Sequence, residues 1–156
     1  MTSRGAWART GLTIGLVVAL DQLTKKLARD GIRPGSDDPI FPALKLVNVR
    51  NEGVAFGIEA GGQTLVIALI ALALLALVLY FARHTARPLI WLPTGLLIGG
   101  ALCNIVDRVR DGAVTDFLKI PAWPAFNLAD VAITVGVLAL VLVLERGDEG
   151  RRRSGG

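Results

Sequence analysis

The sequence predicts an all-α membrane protein: four transmembrane helices with a small extracytoplasmic β-sheet between helices 1 and 2. Three observations carry that expectation. Two runs, 64–82 and 88–106, hold no charged residue and are each long enough to cross a bilayer. Across 156 residues, hydrophobic side chains make up 53% against 19% charged, and mean hydropathy is +0.56, an oilier balance than a soluble globule of this length carries. Ahead of both runs, at 44–50, lies a stretch of β-branched, partly alternating character. One cysteine cannot pair within the chain and no segment has the polar bias of a flexible domain, so a disulfide scaffold, a disordered chain and an ordinary soluble enzyme are excluded.

The first span, about 9–28, follows Arg4 and Arg9 and carries Asp21 and Lys25 toward its end. A short apolar core behind two arginines also fits a secretory leader, but no small-x-small cleavage site follows and three more spans do. The spans at about 64–82 and 88–107 follow the uncharged runs; at the helical rise, nineteen residues cover roughly 28 Å, close to a hydrocarbon thickness of about 30 Å. The fourth, about 125–144, contains Asn127 and Asp130 near its start. After the first span, 34–39 reads as a loop and 44–50 as a strand. Asn51-Glu52-Gly53 reads as turn chemistry and 54–58 as a second apolar run, together a short sheet or hairpin at the membrane surface. The chain, 1–156, reads as one domain without repeats.

Four spans put both termini on one side. Lys and Arg are about twice as dense in the termini and the 83–87 connection as in the other connections, which favours cytoplasmic termini. The net charge of +4 comes partly from Arg151-Arg152-Arg153. It reads as attraction to anionic membrane lipid, not to nucleic acid, because no soluble domain presents it.

An ionised side chain at the centre of a span costs roughly 2.5–3.5 kcal/mol, so it stays only where something compensates. Here the polar residues gather at one side of the bilayer: Asp21 and Lys25 leaving the first span, Asn104, Asp107 and Arg108 leaving the third, Asp116 in the following loop, and Asn127 and Asp130 opening the fourth. Asn104, Asp107 and Arg108 share a helix face, as do Asn127, Asp130 and Thr134. Asp21 and Lys25 read first as a pair neutralising each other at a helix end. Asp107, Arg108 and Asp111 read equally as a surface ion-pair cluster or as part of a site. Asp116 and Asp130 stand among apolar neighbours, where a carboxylate is desolvated unless protonated or paired.

Few chemistries survive this inventory. Serine occurs only at 3, 36 and 154, the lone His84 lies on the opposite connection, and Cys103 has no histidine on its side, so serine and cysteine nucleophiles lack a base. Zinc-binding motifs are absent. Two aspartates remain. Carboxylates about 4 Å apart repel by roughly 4 kcal/mol at an effective dielectric near 20, equivalent to about three pK units, and would share one proton. One member could then activate water while the other hydrogen-bonds a scissile carbonyl. That step requires Asp116 and Asp130 to meet, which spacing alone does not establish.

Four boxes carry a family resemblance: Asp21-Gln22-Leu23-Thr24-Lys25; Asn51-Glu52-Gly53-Val54-Ala55-Phe56-Gly57; the stretch 99–108 followed by 112–117; and Phe126-Asn127-Leu128-Ala129-Asp130. Their order and spread resemble the bacterial lipoprotein signal peptidases, or signal peptidase II. The resemblance implies an aspartic endopeptidase of the bacterial inner membrane, multi-pass, with its active site near the outer leaflet. It implies diacylglyceryl-modified prolipoproteins as substrates, cut before the lipidated cysteine, and the membrane lipid that holds them as a partner. The catalytic aspartates fall on Asp116 and Asp130. Asn51, Asn104, Arg108 and Asn127 carry over as residues positioning substrate or dyad, with Asp21, Lys25 and Asp107 as structural supports. No metal or cofactor is implied, and the protein is expected to be a monomer. Cys103 departs from the family's usual glycine and reads as a small buried residue.

Two rival readings stay open. A proton-coupled transporter predicts polar residues spread through the membrane depth. A noncatalytic scaffold would bind a partner helix through Gly95, Gly99 and Gly100.

Overall fold

The structure, a computed structural model, describes residues 2–52 and 62–154. In chain order the elements are α1 (Ser3–Gly31), β1 (Asp37–Phe41), β2 (Leu44–Asn51), α2 (Gly62–His84), α3 (Trp91–Asp111), β3 (Val114–Lys119) and α4 (Leu128–Ser154). Among the described residues, three stretches are long and apolar enough to cross a membrane: Ile67–His84, Trp91–Asp111 and Leu128–Arg146. The fourth expected span, over α1, does not meet that measure. α1 is a continuous helix, but Asp21, Lys25, Lys26, Arg29 and Asp30 interrupt its second half. α4 starts at 128, after Phe126 has joined a strand, and continues past 144.

α3 is the centre of the bundle, packed on α1 on one side and α4 on the other. Half of its apolar stretch is buried, against 6% for α2, so α2 is peripheral. Apolar surface gives little drive for helices to associate in lipid, so they must approach closely to gain packing contacts. Glycines on α3 permit that approach. An added Cβ would stand 2.6 Å from Thr13 Cβ at Gly95, 2.9 Å from Val17 Cβ at Gly99, and 2.6 Å from the Ala129 carbonyl oxygen at Gly100. The small residues considered for a partner helix are thus occupied within the chain. On α1 the buried stripe of Ala6, Thr10, Val17, Asp21, Lys25 and Ala28 recurs at helical spacing, apolar at first and ionic toward its end. Away from that ionic end, Ala6, Phe81 and Ile90 form a buried cluster, with Trp7 meeting the Phe81 ring edge-on at 4.7 Å.

The sheet has the order β1-β2-β3, both pairings antiparallel. Two strands lie between α1 and α2, of which β2 matches the expected strand at 44–50 and β1 does not match an expected one, and the third comes from the α3–α4 connection. The expected loop at 34–39 is strand from Asp37 onward, and Pro39 is accommodated because β1 is an edge. The apolar run 54–58, and with it Gly53 to Gly57 of the second box, lies outside the described residues. Opposite Leu118 and Asp116, β2 places Leu46 and Val49, one residue more than the partner strand, so the pairing bulges there. Asn48 Nδ2 donates to the Ile32 carbonyl at 2.9 Å and ties β2 to the end of α1. Gly112 ends α3 at φ 72°, a left-handed cap that turns the chain into β3.

The glycine contacts make a stability prediction. Gly100→Ala is expected to destabilise the fold by roughly 1–3 kcal/mol, because the obstacle is backbone and cannot rotate away. Gly15→Ala, with nothing within 4 Å of the new Cβ, is expected to be neutral or to stabilise by up to about 1 kcal/mol. Thermal unfolding of both variants in one detergent checks this; equal effects would refute the close-approach account.

Candidate active site

The site is built around the first turn of α4. Asn127 caps it: Asn127 Oδ1 accepts from Asp130 N at 3.0 Å, and Asp130 Oδ2 accepts from Asn127 N at 3.1 Å. This reciprocal capping box satisfies two N–H groups that the helix itself leaves unbonded. Because Oδ1 is committed to the cap, the Asn127 amide nitrogen is directed away from it. Asn127 Nδ2 donates to Asp116 Oδ1 at 2.7 Å and reaches Asn104 Oδ1 at 3.4 Å.

Asp116 arrives on β3, which is held on both edges. β2 lies on one side, and on the other Leu118 and Phe126 exchange hydrogen bonds of 2.9 and 2.8 Å. Phe126 immediately precedes Asn127, so this short return sets Asp116 beside the α4 cap. Asn51, at the end of β2, donates through Nδ2 to Asp116 Oδ2 at 2.9 Å. The two aspartates therefore stand around one residue, Asn127, which hydrogen-bonds to both.

Behind them lies an ionic layer between α1 and α3. Lys25 is fully buried, with Nζ 2.8 Å from Asp21 Oδ2 and 2.6 Å from Asp107 Oδ2. It also donates to Asn104 Oδ1 at 3.2 Å, which leaves the Asn104 amide nitrogen to donate to Asp130 Oδ1 at 2.8 Å. Gln22 Nε2 donates to Asp107 Oδ1 at 3.0 Å, and Ala129 N to Asp21 Oδ1 at 2.9 Å. Asp21 and Lys25 are thus part of a three-way ionic group, not only a pair at a helix end. Asp107 turns inward to Lys25 and does not form the surface cluster with Arg108 and Asp111. Arg108 Nη1 donates to the carbonyl of Asn104, one turn back. Thr134 bonds only the Asp130 carbonyl and is exposed.

Burial pushes the Asp116 carboxyl above its ordinary value of 3.8. The hydrogen bonds from Asn51 and Asn127 oppose the shift, the charge of Asp130 adds to it and Lys25 opposes it. Cys103 is 2% exposed, the small buried residue expected.

Two hollows flank the aspartates. An apolar cavity of about 520 Å³ opens between α2, α3 and α4, lined by residues such as Leu74 and Ile133, with Asn104, Arg108 and Asp130 as its polar residues. A second hollow of about 460 Å³ lies over the sheet, bordered by Asn51, Glu52, Asp116 and Pro124. The structure thus brings together Asp21, Lys25, Asn51, Asn104, Asp107, Arg108, Asp116, Asn127 and Asp130, joined by Gln22 and the Ala129 amide. The capping box was legible as Asn-x-x-Asp before an apolar run; the direction of the Gln22 side chain was not.

The family model for signal peptidase (SPase) II matches residues 13–145. The lipoprotein signal peptidase of Moorella thermoacetica is 41% identical over 140 residues, covering 87% of this chain and 93% of that protein. The lipoprotein signal peptidase of Rhodopseudomonas palustris strain CGA009 is 40% identical over 153 residues, covering 85% and 90%. A bacterial membrane enzyme solved by the in meso method at 2.3 Å resolution superposes with a TM-score of 0.80 at 31% identity, over 90% of each chain. A second, at 1.9 Å resolution, gives 0.78 at 33% identity, over 86% of this chain and 91% of the other. On sequence and on fold together, the chain belongs to the signal peptidase II family.

Proposed function

We propose that the protein is an aspartic endopeptidase that removes the signal peptide from diacylglyceryl-modified prolipoproteins, cutting before the lipidated cysteine. Membership in signal peptidase II makes it a bacterial membrane peptidase of lipoprotein signal peptides. The observation that carries the aspartic mechanism is the single residue, Asn127, hydrogen-bonded to both Asp116 and Asp130 beside an apolar groove.

In this mechanism Asp116 holds the shared proton, favoured there by burial, and hydrogen-bonds the scissile carbonyl oxygen. Asp130 carries the charge. It takes a proton from water as the water oxygen attacks the carbonyl carbon, and a proton passes to the leaving amine as the C–N bond breaks. The products are the signal-peptide carboxylate and a lipoprotein beginning at its cysteine. Asn104 orients Asp130, Asn51 orients Asp116, and Arg108 meets substrate at the polar end of the groove. The diacylglyceryl chains remain in lipid and anchor the substrate, since each buried methylene is worth about 0.8 kcal/mol. α1 serves as a fourth span, with Asp21 and Lys25 buried against α3 and α4, the termini cytoplasmic and the aspartates near the outer leaflet. The protein acts as a monomer, a reading supported by the described polar residues of the site all meeting within one chain.

The first test uses purified protein with a lipidated precursor. Folded Asp116→Asn and Asp130→Asn variants are each expected to lose roughly 10²–10⁴-fold in cleavage rate. Parent-like rates would overturn the dyad. A precursor lacking the diacylglyceryl group is expected to be cut far more slowly, and equal rates would remove the anchoring argument.

A second test reads the Asp116 proton. A carboxyl whose folded pKa is raised contributes stability that is present below its unfolded value and is lost as pH rises through the folded one. The melting temperature of the parent is therefore expected to fall more between about pH 4 and pH 8 than that of Asp116→Asn. Parallel curves would show that Asp116 does not hold the proton.

A further inference from the structure

The far end of the bundle carries a third hollow with no part in the chemistry above. It is a crevice of about 430 Å³ between the start of α3 and the later turns of α4. Pro88, Leu92, Leu142 and Val143 contribute to an apolar wall, and Arg87 and Arg146 are the charged residues among the described lining groups. Thirteen residues of α4 separate Asp130 from Val143, about 20 Å along the helix, so the crevice is distinct from the aspartate site.

Its level in the fold is informative. The three apolar stretches end or begin together here, at His84, Trp91 and Arg146, so this is where a bilayer's hydrocarbon gives way to headgroups. The crevice spans that boundary, with arginine at the polar level and Leu142 and Val143 toward the hydrocarbon. The N-terminal end of α3, where Leu92 and Pro93 line the crevice, adds the positive end of a helix dipole to the two guanidinium groups. An apolar wall with cations at its headgroup end matches an amphiphile with an anionic head.

We propose that this crevice binds an anionic phospholipid, its phosphate between Arg87 and Arg146 and an acyl chain along the α4 wall. Guanidinium groups suit the phosphate because they offer paired N–H donors in a plane. In the orientation proposed above, the lipid belongs to the cytoplasmic leaflet, which is where anionic headgroups would meet these arginines.

The test is a titration of the full chain in detergent with dioleoylphosphatidylglycerol, with dioleoylphosphatidylcholine as the zwitterionic control and glycerol phosphate as the headgroup alone. Saturable binding of the glycerol lipid, one per chain, is expected. Arg87→Gln with Arg146→Gln is expected to weaken it roughly tenfold or more, with the choline lipid bound weakly by both proteins. Equal binding of the glycerol lipid to parent and variant, or no preference over the choline lipid, would overturn the proposal. So would displacement by glycerol phosphate at the same concentration as the lipid, which would mark an ion site without an acyl wall. Should the double variant fail to fold, Leu142→Trp fills the wall and keeps both arginines. It is expected to weaken the glycerol lipid alone, and unchanged binding would refute the site.

Discussion

A lysine ammonium without access to solvent holds the polar half of this protein in register. Lys25 cannot be buried alone, because desolvating an unpaired charge is prohibitive, and the chain places Asp21 on its own helix and Asp107 on α3 against it. Such a group adds little net stability over a well-packed apolar one, while removing one partner typically costs 3–5 kcal/mol. Its contribution here is positional. With two carboxylates taking two of its donors, the third goes to Asn104 Oδ1 and fixes which way that amide faces.

The same logic runs through the site. Two of the site's asparagines have their amide polarity assigned by an interaction within the scaffold: Asn104 by Lys25, Asn127 by the helix cap of α4. In both, the oxygen is occupied and the nitrogen is turned onto a carboxylate. The aspartates are thus held by donors whose directions were decided in the scaffold. In the mechanism proposed above, a water-activating pair depends on such fixed geometry, since small displacements of reacting groups cost large factors in rate. The buried Asp116 and the more open Asp130 face different surroundings, as the proposed division of roles between them requires.

The packing that builds this end also leaves room for what enters it. α3 is drawn close to α1 and α4 by Gly95, Gly99 and Gly100, whereas α2 meets the bundle through α3 and, at Phe81, through Ala6 and Trp7 of α1, and stays largely exposed. The gap between α2 and the tight trio is the apolar groove reaching Asp130. At the opposite end the cluster of Ala6, Phe81 and Ile90 closes the bundle near the arginine-lined crevice. One end therefore presents carboxylates and the other cations, with hydrocarbon-length helices between them.

The sequence by itself determined what depends on near neighbours. The apolar runs at 64–82 and 88–107 became α2 and α3 because helix formation and bilayer length are local properties of a chain. The shared face of Asn104, Asp107 and Arg108 followed from helical period, and Asp116 and Asp130 stood out because apolar neighbours surround them. Tertiary structure decided everything that required distant segments to meet. No local pattern says that β3 pairs with β2, that Pro39 lies in an edge strand, or that Asp107 turns inward to Lys25 and not outward to its own helix surface. Nor could spacing bring Asp116 to Asp130; that took the Phe126 return and the amide of Asn127. Backbone periodicity is encoded within a few residues, whereas strand partners and buried charge pairs are selected by which surfaces can approach, and here glycines on α3 set that approach.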